Sequence, residues 1–235
     1  MPIKTTEQQG TLALHSARSL LVKQQTMLAN AMRGLATEFG MTVAKGFDKL
    51  EDLAVLVKAN KAFPSRARQA FTELFLQCRA LQESIATFEV EIVAHARHDE
   101  TARRLMTIPG IGPITASLIA VTVVDIGEFK SARHFAAWLG LVPRQFSTGG
   151  KTRLGRITKA GNREIRRLLV IGATSMVRRA PQWNSAAGVW TRGLLERRPV
   201  RLVTVALANK IARITWALMT RKEVYHAKGR IAAVA

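Results

Sequence analysis

The sequence predicts an all-α fold: a long helical coiled coil or hairpin, followed by a compact helical domain with a helix-hairpin-helix element. Three observations predict it. Apolar residues recur at spacings of three, four and seven across the first hundred positions, the period of helices that bury one stripe. The uncharged run 105–124 is broken by Pro109, Gly110, Gly112 and Pro113, which suits a tight turn between two buried helices and would break a membrane-spanning one. The hydrophobic fraction, 48%, is enough to build a core and too high for a disordered basic tail.

In chain order, Leu14, Leu21, Leu28 and Leu35 recur every seven residues, with Ala17 and Ala31 between them. A break follows at Glu38-Phe39-Gly40, where Gly40 suits a helix C-terminus. Pro64 opens a second long segment. Its Phe71, Leu74, Cys78, Leu81, Ile85, Phe88 and Ile92 alternate by three and four, the seam of a coiled coil. The pattern fits an intramolecular hairpin and a dimerising coiled coil equally. Cys78, on the seam, reads as a small core residue.

Leu105 and Ile108 end the next helix, Pro109-Gly110-Ile111-Gly112 turns the chain, and a helix starts at Pro113 with Ala116 packed inward. Gly110 and Gly112 would let a DNA backbone approach, and the following helix N-terminus offers N–H donors. Ser131 caps a short helix whose Phe135, Trp138 and Leu139 face a core, and Gly140 ends it. His134, among cations, reads as a surface or phosphate-contacting residue. Residues 144–162 form a non-periodic basic loop with Arg144, Lys151, Arg153, Arg156 and Lys159. Gly149-Gly150-Lys151-Thr152 is not a Walker loop, because the motif's first glycine would fall on Gln145. On spacing alone the loop reads as a grip on phosphates; the alternative is a hydroxyl of Ser147 or Thr148 placed beside a phosphodiester.

Asn162 caps the next helix, with Ile165, Leu168, Leu169, Gly172 and Met176 inward. Arg163, Arg166 and Arg167 oppose the dipole at its start, a cost of roughly a few tenths of a kcal/mol each that a bound phosphate would offset. Beyond Pro181, Trp183 and Trp190 lie in a connector, and either packing or stacking on unpaired bases suits them. A last helix carries Val200, Val203, Leu207, Ile211, Ile214 and Leu218 on one stripe with Trp216 beside it, and the tail from Lys222 reads as frayed.

Charge sorts the partners. The net charge is +20, yet residues 1–100 hold 12 basic and 11 acidic side chains and residues 101–235 hold 24 and 5. A neutral assembly element thus precedes a segment built for a polyanion, nucleic acid first. The one cysteine excludes an intramolecular disulfide and multi-cysteine zinc sites, and the N-terminus lacks the apolar core of a signal peptide. The expected location is cytoplasmic, associated with the nucleoid, with no membrane partner. The expected domains are 1–99, a helical linker and coiled coil; 100–180, the motif-bearing domain; and 181–235, a helical extension.

The run from Thr107 to about Ala173 resembles the C-terminal domain of DEDD-type insertion-sequence transposases, relatives of the Piv DNA invertase and now known as bridge-RNA-guided recombinases. The residues that carry the resemblance are Ile108-Pro109-Gly110-Ile111-Gly112-Pro113, Phe129-Lys130-Ser131-Ala132-Arg133, Trp138 to Arg144, Ser147-Thr148-Gly149-Gly150-Lys151 and Lys159-Ala160-Gly161-Asn162. Lys4 to Gln9 and the stretches Arg33-Gly34-Leu35 and Phe39-Gly40 are similar to the family's linker helices. The resemblance implies a serine before the glycines that attacks a DNA phosphodiester, a separate RNase-H-like domain whose four acidic residues bind magnesium, dimers or tetramers, and a structured RNA that specifies the sites. Carried over, the nucleophile is Ser147, the less hindered hydroxyl, or Thr148, which abuts the first glycine. The implied DNA- or RNA-binding residues are Gly110, Gly112, Arg144, Gly149, Gly150, Lys151, Arg153, Arg156, Lys159, Arg163, Arg166 and Arg167.

Asp125, Glu128, Glu164, Glu196 and Glu223 are the carboxylates of the basic half, and they form no paired cluster in sequence. The chain itself is therefore expected to hold no metal, with magnesium in an acidic domain outside it. A serine without base or metal is a weak nucleophile. The polypeptide alone is expected to be inactive: a truncated gene product, a mis-called start or one part of a split enzyme. The alternative is a non-catalytic DNA- or RNA-binding protein that regulates full-length transposase through mixed oligomers.

Overall fold

The computed structural model describes residues 3–146, 150–151, 153–183 and 185–226. Within them the fold is helical, with one two-stranded antiparallel sheet. The chain divides into two compact units, Gly10–Ile92 and Val93–Ala235, the second including Met1–Gln9.

The first unit takes in α1 (Thr6–Thr37), α2 (Asp48–Ala59) and α3 (Ser65–His98) over residues 10–92. The buried seam of α1 runs through Thr11, His15, Gln25, Ala29, Met32 and Ala36. The leucine heptad lies one residue to its side: Leu14, Leu21 and Leu28 are half-buried, and Leu35 is 47% exposed. Alanines on the seam let the neighbouring helices approach closely, which leucines would prevent. Gly40, at φ +70°, ends α1, and the N–H of Met41 donates to the Ala36 carbonyl (3.0 Å), a Schellman closure.

The seam of α3 is filled from within the chain. Phe71 and Cys78 share a core with Ala29, Met32 and Ala36 of α1 and with Leu50, Leu53 and Val57 of α2. Arg18 Nε donates to Glu89 Oε1 (2.9 Å) toward the other end, so α1 and α3 run antiparallel as a hairpin. The α2 helix is not among the elements predicted from sequence, although Leu50, Leu53 and Val57 have helical spacing. Arg68 tethers it by donating to the carbonyls of Val57, Lys58, Asn60 and Phe63 at its C-terminal end.

The second unit adds α4 (Glu100–Met106), α5 (Pro113–Thr122), α6 (Ala132–Trp138), β1 (Pro143–Gln145), β2 (Leu154–Ile157), α7 (Arg163–Arg178), α8 (Ala186–Leu195) and α9 (Val200–Arg221). The α9 helix is central, packing on α7, α6, α4 and α8. By length and composition it could cross a membrane, but its face of Val203, Leu207, Ala208, Ile211, Ala212 and Leu218 is core. Val200, expected on that stripe, is 59% exposed. The α5 helix is buried on most sides, from Thr115 to Ile119 and at Val121 and Thr122. The turn before it is seated by a glycine pair: a Cβ on Gly172 of α7 would lie 1.9 Å from the Gly110 carbonyl oxygen. Trp216 Nε1 donates to the Phe129 carbonyl (3.0 Å), anchoring α9 to the turn before α6.

Candidate nucleic-acid interface

The site begins at the end of α6. Ser131 accepts from the His134 N–H (3.2 Å) and caps the helix. Gly140, at φ +69°, closes it, with the Leu141 N–H on the Ala136 carbonyl (3.1 Å). Lys159-Ala160-Gly161-Asn162 docks against this terminus backbone to backbone. A Cβ on Gly140 would stand 2.3 Å from the Ala160 oxygen, and one on Gly161, at φ +67°, 1.7 Å from the Trp138 oxygen. Such contact excludes any side chain at either position. The Lys159 N–H donates to the Gly140 carbonyl (3.1 Å) and the Thr158 N–H to that of Val142 (2.9 Å). Lys159 takes φ +58°, sparsely populated for a residue with a Cβ, and its side chain is exposed.

Arg166 locks the junction. It is 9% exposed, and its Nη1 donates to the carbonyls of Leu139 (2.8 Å) and Ala160 (2.6 Å). Burial, with Arg163 adding repulsion, lowers its guanidinium pKa from the ordinary arginine value. Arg167 is half-buried and pairs with Glu164 (Nε to Oε2, 3.1 Å). Asn162 Oδ1 accepts from the N–H groups of Glu164 and Ile165, both 3.0 Å, so the first turn of α7 is capped internally. Of the three arginines at this helix start, Arg163 alone is exposed. No anion is needed to account for the other two.

From this base rises a β-hairpin, where the residue pattern predicts a loop. The strands β1 and β2 pair antiparallel, Pro143 opposite Ile157 and Gln145 opposite Leu154, with a bulge between. The pairing extends to the Phe146 N–H on the Arg153 carbonyl (2.8 Å). Arg144, Lys151, Arg153 and Arg156 are all exposed on the hairpin. Between Pro143 and Arg163 the sequence holds no Asp or Glu, and the Arg144 Nη2 donates to the Thr158 carbonyl (3.4 Å). Gly150, at φ +75°, is exposed beside Lys151. Ser147, Thr148 and Gly149 lie outside the described residues.

The two glycines of the α4–α5 turn differ. Gly110 (φ +89°) faces the protein, where a Cβ would meet Met176, the Gly172 carbonyl and Ile211 at 3.1–3.3 Å. Gly112 is exposed with open space around its Cα, and no side chain caps α5 behind it. Most tryptophans of unit two have partners through their rings. Lys210 Nζ sits 4.2 Å from the Trp190 ring centroid, Trp216 donates to the Phe129 carbonyl, and Trp138 packs on Phe129 and Phe135; at Trp183 it is the backbone that Gly188 approaches.

Three carboxylates of this unit have local partners. Asp99 caps α4 and Asp125 the 3-10 turn Ile126–Glu128, while Glu164 is held by Arg167. Among the described residues no group of three or more His, Cys, Asp or Glu gathers to ligate an ion.

Comparison with known proteins gives the family. The model of the IS116/IS110/IS902 transposase family matches residues 102–187, the stretch containing the hairpin and its clamp. The "probable family 20 transposase" of Pseudomonas aeruginosa is 44% identical over 96% of this chain and 68% of its own. The transposase for insertion sequence element IS1111A of Coxiella burnetii is 39% identical over 94% of this chain and 62% of its own. The transposase for IS1328 of Yersinia enterocolitica is 40% identical over 94% and 66%. Among relatives matched over 94–96% of this chain, the chain spans 58–68% of their own length.

Proposed function

The chain belongs to the IS116/IS110/IS902 family of transposases, and from that premise we propose that it is the DNA-gripping, hydroxyl-bearing portion of an insertion-sequence recombinase of the DEDD, Piv-like type. One observation carries the reading: a hairpin whose charged residues are all cations, exposed to solvent and raised on a backbone clamp. In this reading Arg144, Lys151, Arg153, Arg156, Lys159 and Arg163 bind the DNA backbone, with Gly149 and Gly150 allowing close approach. Gly112 and the uncapped start of α5 contact a second stretch of backbone as a helix-hairpin-helix. Gly110 and Arg166 act by shaping the unit, and Arg167 by holding Glu164.

Ser147, or Thr148, supplies the attacking oxygen. It forms a bond to phosphorus, the bond from phosphorus to one deoxyribose oxygen breaks, and that oxygen leaves as a hydroxyl carrying the proton. The strand is then held as a phosphoester of the protein. A hydroxyl needs activation for this step, and the resemblance places the magnesium-binding carboxylates in an acidic domain outside this chain. A structured RNA as second partner, and assembly with further copies through residues 10–92, belong to the same reading.

The test is a covalent adduct between protein and DNA that survives denaturing electrophoresis, read with the acidic domain of a full-length family member supplied, because the chain alone is expected to be inactive. Formation by the wild type, loss in Ser147→Ala and retention in Thr148→Ala support the assignment to Ser147; the reverse moves it to Thr148. DNA binding with no adduct from either hydroxyl would replace the recombinase reading with a non-catalytic binding protein.

A further inference from the structure

Two large apolar side chains are out of place on a grip made for phosphates. Phe146 is 60% exposed and Leu154 is 62% exposed, while Phe129 and Phe135 of the same unit are buried at 5% and 0%. Both lie on the hairpin beside Arg144, Arg153 and Arg156. The ring of Phe146 is seated over Gly155, where a Cβ would come within 2.8 Å of ring carbon Cε2, so the glycine makes room for the ring from below. The ring thus has a support on one side and stays mostly open to solvent. Cations suffice to hold a backbone, and an exposed phenyl ring adds nothing to a phosphate contact. It does add to contact with a base, every one of which has a π-face to stack.

We propose that the 143–157 hairpin binds DNA at an unpaired base, with Phe146 as the stacking platform, Leu154 as its apolar flank and the surrounding arginines on the adjoining phosphates. The occupant is argued from charge: a segment with only cations and two exposed apolar groups complements a polyanion that presents bare bases. A paired duplex keeps its bases stacked on each other and offers the ring no face. The hairpin therefore discriminates between paired and unpaired DNA. The inference rests on the DNA-gripping reading of this hairpin.

The experiment uses the whole chain and two oligonucleotides of one sequence: a perfect duplex, and the same duplex with one bulged 2-aminopurine. Wild type is expected to bind the bulged DNA more tightly and to quench the 2-aminopurine fluorescence. Phe146→Ala should lose about tenfold in affinity for the bulged DNA, the scale of one base–aromatic stack, and lose the quenching, with duplex affinity unchanged. Phe146→Trp should restore both. Equal affinity of Phe146→Ala and wild type for the bulge, or equal losses on bulge and duplex, overturns the inference and leaves the proposed function standing. Tighter binding of an RNA of the same sequence overturns the assignment to DNA. If wild type binds neither DNA, the proposed function fails as well.

Discussion

Replacing Arg166 by methionine separates an internal clamp from a phosphate ligand. The substitution keeps the aliphatic stem and removes two charge-assisted hydrogen bonds, to the Leu139 carbonyl (2.8 Å) and the Ala160 carbonyl (2.6 Å). Hydrogen bonds to charged groups contribute about 1.5–3 kcal/mol each, and both carbonyls would stay in a largely buried junction without this donor. Taking the lower end, because the guanidinium is desolvated and repelled by Arg163, gives about 3 kcal/mol. For a unit of this size that is a fall in Tm of about 6–12 °C. Thermal unfolding followed by circular dichroism measures it. DNA binding below the transition should weaken through a loosened hairpin base, with little change in salt dependence. Arg163→Met should do the opposite: an unchanged Tm, and a salt slope reduced by about one. If Arg166→Met keeps the wild-type Tm while its salt slope drops by one, Arg166 is a phosphate ligand and not a clamp.

Gly161→Ala should cost about 3 kcal/mol or more, since its Cβ would overlap the Trp138 carbonyl at a positive φ. Gly112→Ala, with open space around it, should stay within about 0.5 kcal/mol of wild type in the same unfolding assay. In the triple variant Arg144→Ala, Arg153→Ala, Arg156→Ala, the dependence of log K on log salt should fall by about three with Tm unchanged, as titration at several salt concentrations would show. Burial raises the pKa of the Cys78 thiol above its ordinary 9.0. The folded protein then keeps a proton that the unfolded chain releases, so stability should decline as pH rises past about 9. Cys78→Ala should remove that component of the decline in urea titrations, and the native thiol should react with Ellman's reagent only as the protein unfolds.

Part of the fold and site is legible in residue order alone. Asn162, Ser131, Gly40 and Pro113 mark helix ends through chemistry confined to neighbouring residues, and each stands at the helix end it predicts. The three–four alternation from Phe71 to Ile92 identifies a buried face because side-chain direction in a helix follows from the backbone alone. Pattern fails where partners decide. The α1 leucines are the more hydrophobic stripe, yet the buried seam runs through Thr11, His15, Gln25, Ala29, Met32 and Ala36, because the positions of α2 and α3 select the face that is covered. The hairpin escapes notice because its strands are exposed on both sides and show no alternation of apolar and polar residues.

By itself the sequence determined that the chain is helical, that its net positive charge lies almost wholly in residues 101–235, and that its motifs belong to a transposase family. All three are properties of residue order and composition. Only the tertiary structure decided how the basic residues divide. Arg163, Arg166 and Arg167 look alike within five positions, and they end as an open cation, a buried clamp and a paired surface group. The same holds for Gly110 and Gly112, one pressed on Gly172 and the other open to solvent. Arg167 finds its partner within its own helix turn, but Arg166 is set apart by the Leu139 carbonyl, 27 residues away and 2.8 Å from its Nη1, and Gly110 by the Gly172 backbone; no local pattern encodes those two distances.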